Sequence, residues 1–128
     1  MGRVSTNITV SSLAKPKQAI RCKALVDTGS AFLTLPSDWK NRFNSLDRLR
    51  EVTVELGNQT KTAAEVWGAV RLEIEGCKPI YTEVLFIDMV PDEGKYEPLL
   101  GYIPMEQSQV AVDMATERLV PVKYVDLK

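Results

Sequence analysis

Apolar residues recur at every second position along much of this chain, and that rhythm limits what it can fold into. Ile20, Cys22, Ala24 and Val26 alternate with Arg21, Lys23 and Leu25. Val52, Val54 and Leu56 alternate with Glu51, Thr53 and Glu55, while Val70, Leu72 and Ile74 share one face of a third run. A period of two belongs to a strand with one buried face. The chain is therefore expected to be mainly β. At 128 residues it fits one domain, spanning 1–128, that can bury a core without disulfide or metal staples.

Other segments fill in the order of elements. Val4, Ile8 and Val10 mark a first strand, and Ser11 to Lys17, with Pro16, reads as a loop. The strand from Ile20 is expected to become fully buried as it nears Asp27. A second apolar strand, Ala31 to Pro36, leads into a short helical segment running from Ser37 through Trp39 to Phe43, with Asp38 well placed in its first turn. Ser45 to Leu49 extends that segment or forms a loop. Gly57 and Asn58 tip an exposed hairpin whose return arm, Gln59 to Glu65, is polar and threonine-rich. Gly76 turns the chain, Tyr81 to Met89 is a strand, and Val90 to Pro98 is a surface loop. Tyr102 to Gln107 is a short helix that tolerates Pro104 only in its first turn. Val110–Asp113 and Leu119–Val122 form a last pair of strands. Neither an internal repeat nor a domain linker interrupts this order.

Within it, Asp27-Thr28-Gly29-Ser30 carries the chemistry. The motif follows Ala24-Leu25-Val26 and precedes the second apolar strand, so a single carboxylate stands where a rigid scaffold passes into a loop. Exclusions narrow what that carboxylate does. There is no histidine, so Ser-His and Cys-His machinery and histidine-based zinc sites cannot be built. Sixteen basic and seventeen acidic residues give a net charge of −1 without long runs of one sign, so no face advertises nucleic acid or an anionic membrane. The N-terminus lacks the apolar core of a signal peptide and no apolar stretch approaches spanning length, which reads as a cytoplasmic protein. Cys22 and Cys77 are expected to be small buried hydrophobes, and Trp39 and Trp67 to serve packing rather than a substrate pocket. Glu65, Glu73 and Glu75 are placed on solvated strand faces, with no catalytic role.

The order of strand, Asp27-Thr28-Gly29-Ser30, strand, hairpin, the strand ending Leu72-Glu73-Ile74-Glu75-Gly76, and then Leu99-Leu100-Gly101 with a short helix resembles the retropepsin-like aspartic proteases, from about Val4 to Val122. The resemblance implies a closed, barrel-like β monomer with a flap hairpin and one or two short helices, active as a homodimer, and it implies no metal or organic cofactor. Such enzymes use two carboxylates too close for both to be ionised; one deprotonates a water and the other donates to the scissile carbonyl. One motif supplies half a site, so a two-fold axis between two copies must bring two Asp27 side chains together on an extended polypeptide substrate.

The resemblance also assigns roles. Thr28 braces the dyad across the interface, Gly29 allows close approach of the backbone, and Ser30 donates to the outer oxygen of Asp27. Many retroviral members carry alanine where Ser30 stands, and the tip at Gly57 and Asn58 lacks their glycine-rich sequence. Gly57 and Asn58 are implied to reach over the substrate, and Leu100 and Gly101 to support the Asp27 loop from behind. The alternative from another class is a catalytically silent fold of the same kind, kept as a dimerisation or peptide-binding module. A self-processing segment of a longer polyprotein is a third, weaker reading.

Overall fold

A computed structural model of the chain describes residues 3–43, 46–55 and 58–122. Its elements are β1 (Ser5–Ser12), β2 (Ile20–Val26), β3 (Leu33–Pro36), a 3₁₀ turn (Ser37–Arg42), β4 (Asp47–Glu55), β5 (Lys61–Ile74), β6 (Ile80–Ile87), β7 (Leu99–Leu100), the helix α1 (Tyr102–Gln107), β8 (Val110–Asp113) and β9 (Arg118–Pro121). Strands β1, β2, β7, β3, β6 and β5 follow one another side by side, and β5 returns to pair with β1, closing a six-stranded barrel. Strand β4 lies outside that ring, paired to β5. Strands β8 and β9 make a separate hairpin. Among the described residues no helix is long and apolar enough to cross a membrane.

Closure explains the strand ends that differ from the sequence reading. Strand β1 continues through Ser11 and Ser12, both buried, because these residues pair with Arg71 and Val70 of β5; the loop begins after them. Asp47 to Leu49 belong to β4 rather than to a helix or loop, since the long strand β5 offers them a partner as far as Gly68. Strand β6 stops at Ile87, opposite Pro36, the last residue of β3. Leu25 and Val26 are half-buried rather than fully buried, although both pair with β7 inside the ring. The 3₁₀ turn, the short helix and the final strand pair lie where the pattern placed them.

A bulge in β5 divides the interior. Trp67 pairs with Val84 and Val70 with Thr82, so three steps along β5 oppose two along β6. One extra residue reverses which face each side chain takes. Before the bulge, Ala64 and Val66 pack with Leu85, Phe32, Val52, Val54 and Ile87 in a satellite cluster. Beyond it, Val70, Leu72 and Ile74 enter the main core with Ile8, Leu33, Leu35 and Phe86, and Trp67 packs against that core.

The cysteines fit their expected roles as packing residues. Cys22 and Cys77 are free and half-buried, and burial pushes the Cys22 thiol up to about 11, an inert state that the Arg42 charge only partly offsets. Trp67 sits edge-on to Phe86 at 6.4 Å and Trp39 edge-on to Tyr96 at 6.0 Å.

Leu72 is fully buried at the centre of the main core, whereas Val90 is 94% exposed. Leu72→Ala is expected to cost about 2–5 kcal/mol in chemical denaturation. Val90→Ala should stay within about 0.5 kcal/mol of the parent.

Candidate functional site

The Asp27 loop is held from three sides by backbone hydrogen bonds. The Asp27 amide donates to the Leu100 carbonyl (3.0 Å), and the Leu25 amide donates to that of Pro98 (2.8 Å). On the other side, Leu33 and Thr34 pair with Leu100 and Leu99. Strand β7 therefore lies between β2 and β3, directly behind the loop that joins them. At the loop's far end, the amides of Gly101, Tyr102 and Ile103 donate to the carbonyls of Phe32 (3.0 Å), Ser30 (2.9 Å) and Ala31 (3.0 Å). The first amides of a helix have no partner within the helix. Here the loop supplies those partners, so α1 and the loop fix one another.

That arrangement requires glycine at position 101. A methyl group there would stand 2.5 Å from the Phe32 carbonyl oxygen and 2.6 Å from that of Ser30. Backbone cannot move aside as a flexible side chain can.

Within the loop the Asp27 carboxylate is gripped at both oxygens. The Gly29 amide donates to Oδ1 (3.0 Å) and the Ser30 hydroxyl to Oδ2 (3.0 Å), while the Ser30 amide closes the turn onto the Asp27 carbonyl (3.1 Å). These local donors fix the orientation of the charged group. Asp27 and Ser30 are half-buried, and Thr28 and Gly29 are exposed at the tip of the turn.

The carboxylate borders a cleft of about 450 Å³ whose wall includes Ser30, Phe32, Val54, Leu85 and Ile87. Its wall is largely apolar, and Val54 comes from the arm of the β4–β5 hairpin. Trp39 and Trp67 lie outside this lining. Asn58 is exposed, accepts the Thr60 amide (3.0 Å) on its side-chain oxygen in a local turn, and likewise lies outside the lining. Gly57 falls outside the described residues. Among the described residues, no three acidic or cysteine side chains gather as metal ligands.

One residue is placed differently from its sequence reading. Glu65 is half-buried rather than solvated, and its carboxylate gathers three donors from three elements. Lys40 of the 3₁₀ turn donates to Oε1 (2.6 Å), the Trp67 indole N–H also donates to Oε1 (3.2 Å), and Arg48 of β4 lies 3.1 Å from Oε2. The Lys40 ammonium also stands over the rings of Trp67 (5.3 Å) and Phe86 (5.8 Å). The hydrogen bond from Lys40 comes first among the causes that hold the Glu65 carboxyl below its usual range, with that from Trp67 next. Alternation alone assigned Glu65 to solvent because its neighbours Ala64 and Val66 are the apolar ones. The signal in the sequence was Trp67 two residues on, which in a strand shares the face of Glu65.

No family model and no curated protein matches this chain. The site is defined by its geometry: one oriented carboxylate beside an apolar cleft, on a loop braced by strand and helix.

Gly101→Ala is expected to destabilise the fold by about 1–3 kcal/mol in denaturant titration. Gly29→Ala should cost less, because its added methyl would meet only the Asp27 Oδ1 atom, at 3.3 Å.

Proposed function

We propose that the chain is a retropepsin-like aspartic endopeptidase that acts as a homodimer, with two Asp27 carboxylates sharing one water at the two-fold axis. The observation that carries this reading is the Asp27 carboxylate, held by the Gly29 amide and the Ser30 hydroxyl beside an apolar cleft that Val54 of the hairpin helps to wall. A carboxylate oriented by two fixed donors is prepared to meet a partner group in one geometry.

The chemistry requires a second carboxylate. Two acids within a few ångströms cannot both be charged, so one keeps a proton. The ionised Asp27 takes a proton from the water, which attacks the scissile carbonyl. The protonated Asp27 donates to the developing oxyanion, and a proton then passes to the leaving amine. Thr28, exposed at the turn tip beside Asp27, would face the partner's loop across the two-fold axis. The β4–β5 hairpin would act as the flap, closing over an extended peptide and excluding water from the dyad.

Incubating the wild type and Asp27→Asn with a diverse peptide pool from acidic to neutral pH tests the assignment. Cleavage by the wild type should fall at least about 10³-fold in the variant. Cleavage at equal rates in both would reject Asp27 as the catalytic group. Peptides retained but uncleaved by both would favour the peptide-binding module.

Ser30 allows a second test. Ser30→Ala removes the donor to Oδ2 and leaves the Asp27 carboxylate held at Oδ1 by the Gly29 amide, so kcat/KM is expected to fall about three- to tenfold.

A further inference from the structure

At the base of the β4–β5 hairpin, on the face opposite the satellite cluster, the carboxylate of Glu65 ties together three elements that share no other charged link among the described residues. Lys40 reaches it from the 3₁₀ turn, Arg48 from β4 and Trp67 from β5 itself. We propose that Glu65 is a positioning residue: its clamp on Lys40 and Arg48 sets how the hairpin arm bearing Val54 stands over the Asp27 cleft. The catalytic consequence rests on the endopeptidase reading. The clamp itself does not.

The geometry favours a pivot over an ordinary surface ion pair. Glu65 lies two residues before the β5 bulge and pairs with Phe86; towards the hairpin tip it is the last residue of β5 paired with β6, so the projecting arm begins at Ala64. Beyond that point β4 is paired to β5 alone, so the arm's angle depends on what holds its base. One face of the arm is held by apolar packing of Val52, Val54, Ala64 and Val66. On the other face the fixed attachment is the Glu65 carboxylate, joined to a turn that continues directly from β3 and hence from the Asp27 loop. The Glu65 and Lys40 side chains are 30% and 31% exposed, against 51% and 65% for Glu97 and Arg3 of the outlying pair. Water therefore screens the Glu65–Lys40 contact less than it screens that pair, while Arg48 is 49% exposed. Aromatic rings flank the ammonium as well, and this limits the places Lys40 can go.

The clamp also suits mildly acidic conditions. Lys40 holds the Glu65 carboxyl below its ordinary value of 4.5. A carboxyl with a lowered folded-state value contributes its full stabilisation above the unfolded value and loses it as pH falls through the folded one. The clamp is therefore at full strength above the ordinary value of 4.5 and is lost below it. Arg48 faces Glu65 from β4 and is shared with Glu51 (3.4 Å), and Glu51 and Asp88 border the same depression as Lys40 and Glu65.

Amide hydrogen exchange at about pH 6 reads the clamp without reference to catalysis. In Glu65→Gln, amides at 52–55 and 61–64 are expected to exchange about five- to tenfold faster than in the wild type, while those of β1 and β2 keep their protection. Lys40→Met, which removes the same ion pair from the opposite element, should give the same pattern. Unchanged hairpin exchange in either variant overturns the proposal, as does a rise shared equally by the barrel strands. With a peptide substrate in hand, Glu65→Gln should raise KM at least about threefold and leave kcat within a factor of two. Equal falls in kcat and kcat/KM would instead place Glu65 in the chemical step and overturn the positioning role. Were the wild type to cleave nothing, the endopeptidase reading would fail while the exchange pattern still decided the clamp.

Discussion

Two residues hold the site and the barrel together. Leu99 and Leu100 form the whole of β7, which pairs with β2 on one side and β3 on the other, and among the described residues it is the strand that completes the ring between them. Their backbones do the joining, because each strand in a ring must satisfy hydrogen bonds on both edges. The same short segment accepts the Asp27 amide, and the next residue, Gly101, begins the run of amides that cap the carbonyls of the loop. Barrel closure and placement of the carboxylate thus depend on one set of bonds. A site built this way is as rigid as the core behind it.

The carboxylate gains orientation from that frame rather than burial. Asp27 remains half-exposed, with its two oxygens satisfied by neighbours within three residues of it in the chain. Such a group is chemically ordinary alone. On the proposed reading its unusual behaviour comes from a second copy, because proximity of like charges splits the protonation of two otherwise identical acids. Catalytic competence would then be a property of the assembly, and the single chain would supply a prepared half.

The hairpin shows how a long strand can serve two layers. Strand β5 is continuous in sequence, yet the bulge between Trp67 and Val70 turns its alternation over, so one segment backs the cleft and the next fills the barrel. This places Glu65 on the side of the 3₁₀ turn, where Lys40, Arg48 and Trp67 converge on it. An apolar face on one side and a charged clamp on the other hold the arm that carries Val54.

By itself the sequence determined the mainly β class, because alternation in β2, β4 and the second half of β5 reports one buried face per strand, a local property. It also determined the loop that carries Asp27, since Thr28 to Ser30 are turn residues between two apolar runs. Only the tertiary structure decided where strands end, as with Ser11 and Ser12 or Asp47, because a backbone group joins a strand when a distant segment offers it a partner. The same holds for the side of β5 that Glu65 occupies. The even-numbered run Ala64, Val66, Val70, Leu72, Ile74 looks uniform in one dimension, and the single extra residue that reverses it is visible only against β6. Local periodicity records what each residue prefers, but pairing across dozens of residues settles which preference is met.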